Sequence, residues 1–145
     1  MKGRHRIIVE SRFLKYDFTI KRNITIIKGD SATGKTTLFE MIEAYETDAI
    51  SSGVNISSDV KITTLSGTRW KENLELVEDS IVFIDEGNAF LKTDEFSLRA
   101  INSSNYFVII TRDYLPNLPY SVDEIYGIRT SGKYAGIEKF YHKFY

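Results

Sequence analysis

The sequence predicts an α/β fold: a three-layer sandwich with a mainly parallel central sheet and added antiparallel strands at the N- and C-terminal ends. Three observations carry that prediction. Short apolar runs, Ile24-Thr25-Ile26-Ile27, Ile81-Val82-Phe83-Ile84 and Tyr106 to Ile110, read as strands buried on both faces. Helical patterns alternate with these strands after residue 24. A glycine-bearing loop joins the first of them directly to a helix.

The elements follow in order. Two β-rich runs open the chain, Arg6 to Glu10 and Phe13 to Ile20, the second alternating imperfectly. Lys21-Arg22-Asn23 is a polar turn before Ile24. Lys35 to Tyr45 reads as a helix, with Leu38, Met41, Ile42 and Tyr45 at helical spacing. Ser51 to Ser58 reads as a polar, serine-rich loop and Val60 to Leu65 as a strand. Ser66 is placed to cap a helix from about Arg69 to Val77, with Trp70, Leu74 and Val77 on one face. Thr93 or Asp94 caps a helix carrying Phe96, Leu98 and Ile101. Pro116 and Pro119 bracket a loop, and Val122 to Ile128 and Tyr134 to Tyr141 read as closing strands. Right-handed crossovers would put the loops after Ile27, Ile84 and Ile110 on one sheet edge, where ligands of open α/β sheets bind.

Residues 1–145 are the length of one domain, and 42% hydrophobic content suffices for a core. A net charge of −1 gives no global field toward nucleic acid or anionic membrane. The absence of cysteine excludes disulfides, thiolate metal sites and a cysteine nucleophile. His5 and His142 lie near the two ends of the sequence, which argues against a histidine-based site. No apolar run approaches the roughly 18 residues of a membrane span. The apolar stretch after the basic Met1-Lys2-Gly3-Arg4-His5-Arg6 is too short for an export signal, so the expectation is a cytoplasmic protein with no membrane partner.

The segment Gly29-Asp30-Ser31-Ala32-Thr33-Gly34-Lys35-Thr36, followed by Thr37, meets the pattern G-x-x-x-x-G-K-[ST] between a strand and a helix. In such a loop successive backbone N–H groups face phosphate oxygens, and the helix start adds its positive end. Lys35 reaches the β- and γ-phosphates, and Thr36 offers its hydroxyl to Mg²⁺. The apolar run Ile81 to Ile84 ends in Asp85-Glu86. Placed on the neighbouring strand, Asp85 would hold Mg²⁺ and Glu86 would orient and deprotonate water at the γ-phosphate.

This pairing of a Walker A loop with a Walker B strand and an adjacent glutamate resembles the P-loop NTPases of the additional-strand, catalytic-glutamate division, which includes ABC-type, RecA-like and AAA ATPases. The resemblance covers roughly residues 24 to 130, strong at the motifs and weak between them. It implies a small ATPase domain without the ABC helical subdomain. Ras-like GTPases resemble the chain in the phosphate loop only. Their D-x-x-G would need a glycine where Asn88 stands, and their N-K-x-D slot reads Thr111-Arg112-Asp113-Tyr114. ATP is therefore the expected nucleotide. Phe13, Tyr16 and Phe18 either stack on its base, as an upstream aromatic does in ABC-type proteins, or pack the strand pair.

ABC-type proteins carry a histidine about where Arg112 stands. Arg112 is thus either a γ-phosphate contact or a surface arginine paired with Asp113 or Glu124, with Thr111 as the alternative sensor. Leu65-Ser66-Gly67-Thr68 resembles the ABC signature faintly, and the chain has no glutamine for a Q-loop. Arg129, Lys133, Lys139 and Lys143 alternate with Tyr126, Tyr134, Phe140, Tyr141, Phe144 and Tyr145. That pattern suits single-stranded nucleic acid, a protein partner or an edge hairpin, and the net charge does not indicate nucleic acid.

These residues lead to a Mg-dependent ATP-binding protein that slowly hydrolyses the β–γ phosphoanhydride bond, acting with a protein partner or a second copy. An alternative is a nucleotide-dependent switch or partner-binding module with little turnover, motivated by the missing lid and arginine finger. A small P-loop phosphotransferase is a third reading. It is disfavoured because no arginine-rich insertion is visible and adjacent Asp85 and Glu86 favour water as acceptor.

Overall fold

In the computed structural model, which describes residues 3–28 and 35–139 (backbone alone at Lys35 and Thr36), all the described strands belong to one sheet. Strands β1 (His5–Glu10), β2 (Lys15–Ile20) and β3 (Ile24–Ile27) precede helices α1 (Lys35–Thr47) and α2 (Ala49–Ser52). Then come β4 (Asn55–Ser57), β5 (Ile62–Thr64), α3 (Trp70–Glu75), β6 (Ile81–Asp85), α4 (Asp94–Ile101) and β7 (Tyr106–Ile110). The hairpin β8 (Ile125–Ser131) and β9 (Tyr134–Lys139) follows. Single 3₁₀ turns cover Ala89–Lys92 and Val122–Glu124. The sheet has nine strands in the order β4-β1-β2-β9-β8-β3-β7-β6-β5.

The expected three-layer sandwich with a mainly parallel sheet is therefore wrong. The sheet is mixed and curled into a half-barrel, and helices are few among the described residues. Parallel pairing joins β5, β6, β7, β3 and β8, and also β2 with β9. β1–β2, β1–β4 and β8–β9 are antiparallel. The physical reason lies in the connections. A layer of helices needs a long crossover after every parallel strand. The connections are long enough, but among the described residues only α1, with 13, fills one with a long helix; α3 has 6 and α4 has 8, too few turns to cover a sheet face. The β7–β8 connection holds nothing more regular than a 3₁₀ turn.

Other expectations also change. Ser51 to Ser58 is no loop: it contains the end of α2 and all of β4, which adds itself beside β1. Asp48 caps α2 by accepting from the Ser51 N–H at 3.3 Å. The β8–β9 ribbon is not an edge hairpin, because it sits between β2 and β3. Ser66 does not cap α3, whose N-cap is Arg69 with no side-chain bond. Thr93 does cap α4, its hydroxyl accepting from the Phe96 N–H at 3.2 Å. The buried face of α4 is Phe96, Ser97 and Ala100, while Leu98 and Ile101 are exposed.

Alternation along the central strands feeds two cores. Ile81 and Phe83 of β6, with Tyr106, Val108 and Ile110 of β7, join Leu38, Met41 and Ile42 of α1 on one face. Val82, Ile84, Phe107 and Ile109 meet Trp70, Leu74 and Phe96 on the other. α1 touches β1, β4, β5, β6 and β7, so the curl brings strands from both ends of the order onto one helix. Each fully buried Leu or Ile on that helix contributes about 1.5–3 kcal/mol.

Candidate functional site

Parallel register aligns three strand ends. Ile27 of β3 lies opposite Ile110 of β7, and Ile110 lies opposite Asp85 of β6. The Thr111 N–H donates to the Ile27 carbonyl at 3.0 Å. Chain therefore leaves β3, β6 and β7 from one edge, at Lys28, Glu86 and Thr111. The predicted loop residues Gly29, Asp30, Ser31, Ala32, Thr33 and Gly34 lie outside the described residues, as do the side chains of Lys35 and Thr36. Their backbones open α1, and Thr37 is exposed in its first turn. Asp85 is not on the strand next to β3, as expected. β7 stands between them, so the residues that leave β7 are the nearer neighbours of the β3 end.

Asp85 and Glu86 are both half-buried. Gly87 turns the chain with φ +97°, a conformation glycine adopts without strain. Asn88 then ties two loops together. Its amide nitrogen donates to the Asp85 carbonyl at 2.8 Å, and its amide oxygen accepts from the Gly67 N–H at 3.0 Å. The Leu65-Ser66-Gly67-Thr68 stretch thus serves as the second anchor of the acidic turn.

The most informative contact joins two predicted residues. One Glu86 oxygen accepts from the Arg112 backbone N–H at 3.1 Å. The other lies 3.6 Å from the Arg112 Nε. Neither alternative partner is used: Asp113 pairs with Lys92 at 3.5 Å, and Glu124 lies 3.7 Å from Arg22. Glu124 also accepts from the Tyr126 hydroxyl at 2.7 Å. Burial, and then that carboxylate, push the Tyr126 phenol far above its ordinary range. Thr111 is buried, and its hydroxyl accepts from the Asp113 N–H at 2.9 Å. A cavity of about 230 Å³ opens beside Glu86, Asn88, Thr111 and Asp113.

The aromatic residues upstream divide. Tyr16 and Phe18 are core residues, 2% and 4% exposed, so they offer no stacking face. Phe13 is 76% exposed, with the Arg12 guanidinium 5.6 Å from its ring centroid. In the ribbon, Arg129 lies 3.9 Å from Glu138, and Lys133 lies 3.5 Å from Glu10 of β1. Lys143 and the aromatics from Phe140 onward lie outside the described residues.

The described residues include no group of three or more His, Cys, Asp or Glu that could hold a metal ion. Mg²⁺ needs less than that, since it uses one or two carboxylates together with substrate phosphates. Asp85, a hard oxygen donor at the strand end, fits that requirement. Asn88 and Lys92 were not legible as site residues. The only signal for Asn88 was an Asx residue following a glycine at a strand end.

The chain was compared with protein-family models, curated proteins and solved structures, and it matches none of them. No described helix is long and apolar enough to cross a membrane.

Proposed function

We propose that the chain binds Mg²⁺–ATP along the edge where β3, β7 and β6 end, and slowly hydrolyses the β–γ phosphoanhydride bond. One observation carries the reading: the residue before a complete G-x-x-x-x-G-K-T motif leaves the same sheet edge as Asp85, Glu86 and the Thr111-Arg112 pair. The strand inserted between β3 and β6 also fits a division named for an additional strand.

In this mechanism Lys35 and the backbone of residues 29–34 hold the triphosphate. Thr36 and Asp85 would hold Mg²⁺, which would supply neutralisation of phosphate charge. Glu86 accepts a proton from water as the water oxygen forms its bond to the γ-phosphorus. The bond from phosphorus to the bridging oxygen breaks, and its electron pair leaves with ADP. The proton passes from Glu86 to the released phosphate or to solvent. Arg112, released from Glu86, takes a γ-phosphate oxygen, and Thr111 fixes the turn that aims it.

Phosphate release from Mg²⁺–ATP tests this. Glu86→Gln should cut the rate by about 10²- to 10⁴-fold, the usual worth of general-base catalysis. An unchanged rate would remove Glu86 from the reaction.

The Glu86–Arg112 contact also supports a second reading, a switch with little turnover of its own in a cytoplasmic protein that acts with a partner or a second copy. The carboxylate is engaged by both the backbone and the guanidinium of Arg112. A release rate per molecule that rises with protein concentration would favour a second copy completing the site. A constant rate per molecule would favour a self-sufficient ATPase.

A further inference from the structure

We infer that a pocket between β3, β8 and the 113–122 segment receives the nucleobase of the bound nucleotide, a step that rests on the triphosphate reading above. The pocket holds about 380 Å³ over a floor of Ile26 and Ile125, both buried. Its walls include Tyr114 and Val122, which are 73% and 64% exposed. Two large apolar side chains thus stand in water facing an apolar floor, an arrangement that a flat ring would cover on both sides.

Position gives the occupant. Lys28 lines the pocket and is the residue before Gly29, so the pocket adjoins the phosphate motif. In the sheet, β3 has β8 on one side and β7, then β6, on the other. A nucleotide lying along this edge with its γ-phosphate toward Glu86 extends its other end toward β8. That end is the base.

The stacking surface is held in place. Tyr114 meets Tyr120 edge to face, with ring centroids 6.5 Å apart at 78°. Tyr120 is itself fixed, its hydroxyl accepting from the N–H of buried Leu115 at 3.3 Å. Asp113 lines the same pocket while paired with Lys92. Its carboxylate is an acceptor of the kind an exocyclic amine of adenine requires. Phe13 lies elsewhere, between β1 and β2, and lines none of this pocket.

Binding of Mg²⁺–ATP and of magnesium tripolyphosphate, which has the phosphates but no base, separates the two layers of the argument. In calorimetry the unmodified protein should bind ATP more tightly than tripolyphosphate. Tyr114→Ala should weaken ATP by about fivefold or more, the lower end for loss of one base–ring stack, and the uncharged Val122→Ser should weaken it as well. Both variants should leave tripolyphosphate affinity unchanged, which also serves as the check on folding. ATP and tripolyphosphate binding equally, or ATP affinity surviving both substitutions, would overturn the pocket assignment and leave the triphosphate reading standing. So would equal weakening of both ligands in the variants. Binding of neither ligand to the unmodified protein would overturn both.

Discussion

Glu86 cannot hold Arg112 and orient a water at the same time. The guanidinium is largely exposed, and ion pairs of that kind are worth about 0–1 kcal/mol. A γ-phosphate therefore has little to overcome in drawing Arg112 away, and the exchange frees the carboxylate when it is needed. Arg112→Ala should accordingly change thermal stability by no more than about 1 kcal/mol while lowering phosphate release tenfold or more. Unchanged release would return Arg112 to the surface. Two other pairs act in acid instead. The Arg6 guanidinium holds the Asp17 carboxyl below its ordinary value, and His5 does the same for Asp59. A lowered folded value means stability present above the ordinary carboxyl value of 3.8 and lost as pH falls through the folded one. Denaturant midpoints measured from pH 5 downward should fall below about pH 4, and Asp17→Asn should flatten part of that fall. At this scale the sequence was informative about which residues leave the strand ends, Glu86 and Thr111-Arg112, but it set Asp85 one strand too near β3. It was blind to Arg112's partner, because that partner is 26 positions away and was expected to face a phosphate.

Among the elements, α1 was the most legible, since its apolar spacing is unambiguous and every predicted contact position is buried or half-buried. Glu46, near its end, has contacts with no local signal in the sequence. One oxygen accepts from the Thr64 N–H at 2.9 Å and from the Thr64 hydroxyl, and the other accepts from the Thr63 hydroxyl at 2.6 Å. A helix residue thus supplies acceptors to β5, a strand at the edge of the sheet. Glu46→Ala should cost about 1–3 kcal/mol in chemical denaturation, because it removes charge-assisted bonds from that edge. A loss below 0.5 kcal/mol would show water replacing the carboxylate freely. Thr93→Ala should cost about 1 kcal/mol through the lost cap of α4. The outward faces of α4 were misread because Leu98 and Ile101 are apolar yet out of step with Phe96 and Ala100.

For the whole molecule, the error was one of weight. Three apolar strands with motifs at their ends outweighed the rest: short polar β4 was expected as loop, and the β8–β9 ribbon as closing strands rather than a pair between β2 and β3. Pairing of distant strands, such as β2 with β9, leaves no local signal. Both halves nevertheless share α1. Ile42→Ala should therefore cost about 2–5 kcal/mol and unfold the chain in one step, with amides of β1 and β6 losing hydrogen-exchange protection together. Earlier loss of β1 and β2 alone would mean that the antiparallel half is a separate unit.

β4 and β5 are successive strands, yet they stand at opposite ends of the sheet, with only residues 58–61 between them. The sheet is thus a belt and that link is its buckle. A buckled belt resists opening, so the helix packed inside its curl keeps strands from both ends of the order together. α1 carries 13 residues, about 20 Å of rod, with the phosphate motif at one end and the Glu46 bonds to β5 near the other. One rod thus joins the end that carries the motif to the strand on which the buckle is fastened.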